Sequence, residues 1–165
     1  MASGLLILLA GEKTKEKEKY LKLDKEYLFE VLFGFSTDTY DILGKVINSN
    51  MGANFRMKEL EKKIKENLKY FSGKFLQKYP LYSSKTVRGK PLFSYARGGV
   101  DVEVPTREVL VKNFKFIKIR EINNKNLFKN IEKRINKVKG DFRQKEILNL
   151  WHQNLANGNE CNFFI

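Results

Sequence analysis

The chain has 165 residues, of which 42% are apolar and 13% aromatic, and its formal net charge is +13 at pH 7. Length and composition together exclude a disordered chain and predict one globular domain over residues 1–165. The positive charge recurs along the whole chain, which predicts a polyanionic partner such as RNA, DNA or an anionic membrane surface.

Several classes of protein are excluded by features that are short or missing. The apolar run at residues 5–10 is much shorter than the roughly 20 residues of a membrane-spanning helix or the about 7–15 of a signal-peptide core. The single Cys161 allows no internal disulfide framework, and together with the single His152 it provides too few ligands for a zinc site. No glycine-rich phosphate loop is present. We therefore expect a cytoplasmic monomer with no metal, no cofactor and no membrane partner.

The first half of the chain predicts four elements. Residues 11–21 mix Lys with Glu, which is typical of a solvated helix or an extended connection. Residues 25–33 alternate, with Tyr27 on an aromatic and apolar face, which predicts a half-buried strand. Residues 45–48 predict a short returning strand. Residues 56–71 carry apolar side chains at spacings of three and four, which predicts an amphipathic helix.

The second half predicts further helices and strands. Residues 91–97 suit a short helix. Residues 100–104 predict one strand, and a second, joined to it at residues 105–106, is predicted from Val109 and Val111 and continues through apolar residues to Ile119, with a bulge at residues 116–117. Residues 127–138 carry a helical apolar stripe, and the capping-box spacing at residues 141–144 opens a last helix. This order predicts an α+β (mixed α/β) fold, in which a mixed, largely antiparallel sheet is flanked by helices.

Residues 79–97, called the 79–97 segment below, are the most informative stretch for function. The segment combines aromatic rings, hydroxyls and cations, and no acidic residue stands between Tyr79 and Gly99. Cations attract a phosphate backbone and rings stack on bases, so this mixture suits a nucleic-acid surface. Composition alone fits a solvated loop followed by a short helix at least as well.

The order of particular residues narrows these alternatives. One set resembles the pattern Q-x-P-P-x-Y-S-A-x-K-x-x-G…Y-x-x-A-R-x-G…R: Gln77, Pro80, Tyr82, Ser83, Lys85, Gly89, Tyr95, Ala96, Arg97, Gly99 and Arg107. Tyr79 and Ser84 are departures, and Lys85 and Tyr95 stand one residue before and two residues after the pattern's Lys and Tyr. A second set follows K-x-Y…T-D-T-x-D-x-x-G: Lys25, Tyr27, Thr37, Asp38, Thr39, Asp41 and Gly44. Residues 138–144 are similar to a V-x-G-x-F-x-Q stretch. In these blocks the chain resembles the TruB family of bacterial tRNA pseudouridine synthases.

The resemblance also implies which part of the family is present. Residues 1–6 resemble the end of the G-T-L-D-P-L-A-[ST]-G motif, whose aspartate is the nucleophile. Residues 161–165 resemble the strand that leads into S-G-T-Y-[IM]-R, whose arginine pairs with that aspartate. We expect the chain to be the central part of a pseudouridine synthase catalytic domain, without either member of this pair and without a C-terminal RNA-binding domain.

The activity implied by the resemblance is the isomerisation of uridine 55 in the T loop of tRNA to pseudouridine, without cofactor or metal. Tyr27 is implied to stack on the target uracil, with a possible part in proton transfer; its alternative is a core aromatic on a strand. Asp38 is implied to order the site or the RNA, although Asp38 and Asp41 are equally explained as turn formers. The RNA-binding set implied by the resemblance, together with the unpaired cations, is Lys25, Asp38, Gln77, Tyr82, Ser83, Lys85, Arg88 and Arg97.

Two alternatives stand beside the synthase hypothesis. The chain can be a basic RNA-binding module without catalysis, or a basic fragment that folds but has no activity of its own. Because no carboxylate stands in a G-T-L-D-P context, we expect these 165 residues alone to be inactive.

Overall fold

The computed structural model describes residues 3–50, 56–156 and 162–164. The chain divides into two compact units, Met1–Val31 and Leu32–Ile165. The expectation of a single domain stays a prediction.

The first unit contains a 3-10 helix over Gly11–Glu16 that continues into helix α1, Lys17–Leu21. Neither helix buries a residue, and Lys13 pairs with Glu16 one turn away. The predicted solvated helix is confirmed. The predicted strand over residues 25–33 is wrong: residues 25–32 form no helix or strand, and Phe33 stands in a turn. A strand is stable only when its backbone groups pair with a neighbour, and this segment joins no sheet in the described part of the chain.

The second unit contains the remaining elements, all of whose sheets are antiparallel pairs. The pairs are β1 with β2, β3 with β6, β4 with β5, and β7 with β8. In chain order the elements are β1 Phe35–Thr37, β2 Val46–Ser49, α2 Met57–Asn67 with a 3-10 turn at Leu68–Phe71, β3 Gly73–Lys78, β4 Thr86–Val87, β5 Lys90–Pro91, α3 Leu92–Arg97, β6 Thr106–Val111, β7 Glu121–Asn123, α4 Asn124–Ile135, α5 Gln144–Ala156 and β8 Asn162–Phe164.

This architecture confirms the α+β prediction. The four predicted helices all form, although α3 begins at Leu92 after Pro91 and α4 ends at Ile135 instead of Val138. The strand predicted at residues 100–104 is wrong. The later strand forms as β6 but ends at Val111, and residues 112–120 form no helix or strand. Strand β3 ends at Lys78, which pairs with Thr106, the first residue of β6. Pro105 precedes Thr106 and has no N–H with which to extend the ladder.

The core of the second unit lies between α4, α5 and the β1–β2 pair. Four of its side chains are completely buried: Ile131 and Ile135 on α4, and Ile147 and Trp151 on α5. Burial of each such side chain contributes about 1.5–3 kcal/mol. The Trp151 ring packs on Phe35 with the ring centroids 5.0 Å apart. This core supports the turn between β1 and β2, from which part of the candidate site is built.

Among the described residues, no helix is both long and apolar enough to cross a membrane.

Candidate nucleic-acid interface

The turn between β1 and β2 is held by its own polar side chains. Thr37 donates its hydroxyl to the carbonyl of Asp41 at 2.7 Å, and the Asp41 carboxylate accepts from Thr39 and from the Leu43 N–H, each at 2.9 Å. Asp38 accepts from the Lys45 N–H at 2.8 Å through Oδ1. These bonds confirm the prediction that both carboxylates form turns, and they leave Oδ2 of Asp38 for another partner.

Gly44 allows this turn to close tightly. A Cβ atom at position 44 would lie 2.3 Å from Thr39 Oγ1 and 2.7 Å from Asp38 Oδ1, closer than side chains approach. The Gly44 carbonyl accepts a hydrogen bond from Trp151 Nε1 at 3.2 Å. This hydrogen bond from the buried Trp151 fixes the turn to the core.

Arg143 joins this turn to the 79–97 segment. Its Nη1 donates to Asp38 Oδ2 at 2.9 Å and to the Tyr82 hydroxyl at 3.2 Å, and its guanidinium carbon lies 4.9 Å from the centroid of the Tyr82 ring. Burial of the guanidinium acts to lower its pKa, but the hydrogen bond to Asp38 and the attraction of that carboxylate, together with Tyr82, outweigh it. The pKa of Arg143 is thus raised above its ordinary value, and the side chain is charged at any physiological pH.

The backbone before α5 places Arg143 in an unusual conformation. Arg143 has a φ of 60°, in the left-handed region that non-glycine residues seldom adopt. Asp141 accepts from the Arg143 N–H at 3.3 Å, and Gln144 accepts from the Phe142 N–H at 2.9 Å. The capping-box prediction is therefore corrected: α5 begins at Gln144 itself, and the two polar side chains brace the loop that carries Arg143.

A cleft of about 330 Å³ lies beside this cluster. Lys45 and Arg143 stand on its wall with Arg97 from α3, and Lys45 also pairs with Glu146 on α5. Arg97 lies over the Phe93 ring at 5.4 Å. The cleft is lined by Lys45, Tyr82, Ala96, Arg97, Asp141 and Arg143. Two of its cations are already paired, Arg143 with Asp38 and Lys45 with Glu146, so Arg97 is the lining cation that the described residues leave to an anionic ligand.

The 79–97 segment folds as a small hairpin followed by α3. Arg88 and Gly89 connect β4 to β5 with φ values of 47° and 79°, as in a type I′ turn, which places Arg88 at an exposed tip. Leu92 is fully buried, and the Tyr95 hydroxyl donates to the Val87 carbonyl at 3.0 Å. The segment is therefore an ordered structure and not a plain solvated loop.

A second group of motif residues surrounds the Tyr79 ring. Lys85 lies 5.4 Å and Arg107 5.2 Å from its centroid. Arg107 also donates to the side-chain oxygen of Gln77 at 3.1 Å, so Gln77 orients a cation beside the Tyr79 ring. Ser83 is half-buried, and its hydroxyl oxygen finds no hydrogen-bond partner in the described part of the chain.

Tyr27 and Lys25 lie in the first unit. The Tyr27 side chain is 75% exposed, so its ring does not belong to a buried core. Lys25 donates its ammonium to the carbonyls of Leu21 and Leu23, each at 2.9 Å, and so satisfies carbonyls at the end of α1.

Sequence reasoning missed Arg143 and Lys45 as members of the site. Arg143 is 105 residues from Asp38 and 61 from Tyr82, so no local spacing reveals the contact. The only signal was the position of Arg143 inside the V-x-G-x-F-x-Q stretch.

The other polar candidates lie elsewhere. His152 is exposed on α5, edge-on to Phe128. Cys161 lies outside the described residues. The described ranges contain no group of three or more His, Cys, Asp or Glu side chains placed to hold a metal ion.

Comparison with known proteins places these residues in a family. Residues 1–145 match the model of the TruB family pseudouridylate synthase (N terminal domain). The tRNA pseudouridine synthase B of Caldanaerobacter subterraneus subsp. tengcongensis is 41% identical over 117 residues, covering 71% of this chain and 40% of the relative. The proteins of the same name from Endomicrobium trichonymphae and Malacoplasma penetrans are 39% and 33% identical, over 70% and 76% of this chain and 49% and 52% of the relatives. The chain thus spans about half the length of the relatives it matches, or less, and it belongs to the TruB family.

Proposed function

We propose that the chain forms part of a tRNA pseudouridine synthase that isomerises uridine 55 in the T loop of tRNA. One observation carries the proposal beyond family membership. Asp38 of the T-D-T-x-D block and Tyr82 of the Y-S block meet at Arg143, beside a cleft that is also lined by the exposed Arg97. Two motifs that are far apart in the sequence therefore meet at one cleft, where Arg97 provides a charge that attracts a phosphate backbone.

The reaction needs a nucleophile that the 165 residues do not contain. In the proposed enzyme an aspartate from a G-T-L-D-P segment attacks the nucleotide, the uracil is detached, turned and rejoined through C5, and no cofactor is used. Covalent catalysis of this kind divides one difficult exchange into two easier steps. Asp38 and Asp41 are engaged in the turn and do not replace this nucleophile. A tRNA substrate would place the enzyme in the cytoplasm.

Tyr27 is proposed to receive the uracil once it leaves the stack of the T loop. An enzyme that acts on a base within folded RNA must extrude it and hold it against an aromatic or apolar surface. The exposed Tyr27 ring has a face free for such stacking, whereas a core aromatic would not.

The experiment that tests the proposal joins the chain to the G-T-L-D-P and S-G-T-Y-[IM]-R segments of a relative. The extended protein is incubated with a tRNA transcript that carries uridine at position 55 and, as control, with one that carries cytidine there. Pseudouridine is measured by nucleoside chromatography. We expect turnover only with the first transcript and only background from the 165 residues alone. Turnover by the 165 residues would contradict the assignment of the nucleophile and direct attention to Asp38 and Asp41.

Substitutions of Tyr27 in the extended protein separate its two roles. Tyr27→Leu removes the ring and should weaken substrate binding by roughly 1–3 kcal/mol, the stacking contribution of one base. Tyr27→Phe keeps the ring, so binding should persist; turnover falls by about two to four orders of magnitude if the hydroxyl transfers a proton, and stays near normal if stacking alone matters. A Leu variant that binds and reacts like the parent would remove Tyr27 from the site.

The second candidate is an RNA-binding module without catalysis. The observation that favours it is the Tyr79 cluster, where Lys85 and Arg107 flank an aromatic ring and thus combine charge with a stacking surface. An extended protein that binds tRNA tightly but makes no pseudouridine would support this candidate over the enzyme.

A further inference from the structure

Arg143 differs from Arg97, the exposed cation of the same cleft, because its charge is already paired within the protein. Its side chain is only 23% exposed, and that of its partner Asp38 is 18% exposed. In each of six other ion pairs of the described residues, at least one partner is more than half exposed. The other carboxylate oxygen of Asp38, Oδ1, accepts a hydrogen bond from the Lys45 N–H. Nη1 of Arg143 and both carboxylate oxygens of Asp38 are thus engaged within the protein, and the charges of the pair cancel before RNA binds.

We propose that Arg143 is a positioning residue of the RNA-binding cleft: its guanidinium fixes the Asp38 turn and the Tyr82 ring relative to each other, so that RNA meets a preformed wall. The inference rests on the proposed function, since it takes RNA as the ligand of the cleft. It adds a residue that neither the motif residues nor the charge pattern assigned to the site.

The geometry of the guanidinium supports positioning in three ways. One nitrogen bonds both partners, the planar group stacks on the Tyr82 ring, and the raised pKa keeps the charge in place. Lysine cannot reproduce a planar group that stacks and bonds together. The left-handed backbone at Arg143 indicates a conformation that the surrounding contacts impose, as is common at functional sites.

Phosphate contacts in this cleft fall instead to Arg97. It lines the same cleft, its side chain is exposed, and the described residues give it no acidic partner. Arg97 is therefore proposed to contact the backbone of the RNA, while Arg143 holds Asp38 and Tyr82 in place.

The test measures binding of a T-arm stem-loop RNA to the 165-residue chain over a range of salt concentrations. The variants are Arg143→Met, Asp38→Asn and the double variant. The matched control is Arg134→Met, which removes an arginine of α4 whose Nε donates to Asn130 at 2.9 Å, away from the cleft.

A positioning role gives a distinctive set of results. Arg143→Met should raise Kd about tenfold with an unchanged salt slope, Asp38→Asn should do the same within about twofold, and the double variant should be no worse than either single one. Arg134→Met should change Kd by less than about twofold. A direct phosphate contact predicts the opposite: Arg143→Met lowers the salt slope by about 0.7–0.9, and Asp38→Asn, which frees the guanidinium, tightens binding. Those results, or an unchanged Kd for Arg143→Met, overturn the inference.

Two further measurements keep the test decisive. Trp151 touches the same turn through Gly44, so its fluorescence reports whether a variant is folded. If Arg143→Met unfolds, Arg143→Lys takes its place: a positioning role predicts nearly the full loss of affinity despite the retained charge, and retained affinity overturns it. Failure of the unchanged chain to bind the T-arm RNA overturns the proposed function and this inference with it, whereas normal binding by the parent and by every variant overturns this inference alone.

Discussion

The α4–α5 helix pair and the β3–β6 ribbon both carry apolar side chains, but in different environments. On the helix pair, Ile131, Ile135, Ile147 and Trp151 are completely buried. On the ribbon, every residue of β3 is exposed, although β3 and β6 pair over six consecutive positions. The apolar patterns predicted α4, α5 and β6 but not β3, and burial depends on whether a second layer covers an element. The helices have the β1–β2 pair as that layer.

The difference separates stability from recognition. The helix pair supplies the core, and the 79–97 segment and the ribbon carry the cations proposed to contact RNA. The Asp38 turn belongs to both regions, since Trp151 holds it from the core side and Arg143 ties it to Tyr82.

The largest expected effect tests where stability resides. Ile131→Ala should lower the free energy of unfolding by about 2–5 kcal/mol, because it leaves a cavity in a packed core. The matched change Leu76→Ala on β3, where the side chain is 71% exposed, should stay within about 0.5 kcal/mol. Urea unfolding followed by Trp151 fluorescence measures both. Equal losses at the two positions would show that the ribbon is covered in solution and would break the comparison.

The apolar faces that pack into the core also made the helices predictable from the sequence. A spacing of three and four residues marks one face over several turns, so α2, α4 and α5 follow directly from it. The strand predicted around Tyr27 was not formed, because alternation states which faces a strand has but not which neighbour pairs with it. Long-range pairing is the information that a local pattern lacks.

The next effect concerns the turn shared by both regions. Gly44→Ala places a methyl group within 2.7 Å of Asp38 Oδ1 and closer still to Thr39 Oγ1. The turn must shift, and we expect a loss of roughly 1–3 kcal/mol in unfolding free energy together with weaker T-arm binding. Gly4→Ala is the control, since nothing lies within 4 Å of a Cβ atom there. A Gly44 variant that loses stability and keeps RNA affinity would separate the turn from the interface.

The resemblance named individual residues of the candidate site, but it did not say which side chains pair with each other. The resemblance named Asp38, Tyr82 and Arg97, and the structure brings Tyr82 and Arg97 to one cleft with Asp38 bonded to its wall. The resemblance gave no pairing for Gln77, which the structure bonds to Arg107, and none for Arg143, whose partners are distant in sequence. Side-chain pairing across the fold has no periodic signature.

A third effect concerns the charge of the recognition region. Replacement of Lys85, Arg88 and Arg97 together by Ala should reduce the salt dependence of tRNA binding by about 0.7–0.9 log units for each phosphate that the variant no longer binds. Stability should change little, because all three side chains are exposed.

The matched control removes three cations that are already paired. Lys13 pairs with Glu16, Lys62 with Glu66 and Lys65 with Glu61, so a triple Ala variant at these lysines changes the net charge equally. Its salt slope should stay near that of the parent. If this control loses the slope and the first triple variant keeps it, the RNA is held by the lysine-rich helices and the assignment of the interface is wrong.

The smallest effect sharpens the comparison at one residue, Arg88. It occupies the first position of the two-residue turn between β4 and β5 with a φ of 47°, where asparagine before glycine is preferred. Arg88→Asn should therefore raise the free energy of unfolding by up to about 1 kcal/mol, while the loss of a cation lowers the salt slope of T-arm binding by about 0.7–0.9. Lys90→Asn, on the adjacent strand, removes the same charge without relieving the turn and should give no gain in stability. A gain in stability together with a loss of RNA affinity, in Arg88→Asn and not in Lys90→Asn, would indicate that Arg88 is kept in a strained turn because it contacts RNA. Relief of strain at a functional position stabilises a protein at the expense of its activity. A loss of stability in Arg88→Asn would instead show that the arginine side chain supports the hairpin, and the tip would then belong with the structural region.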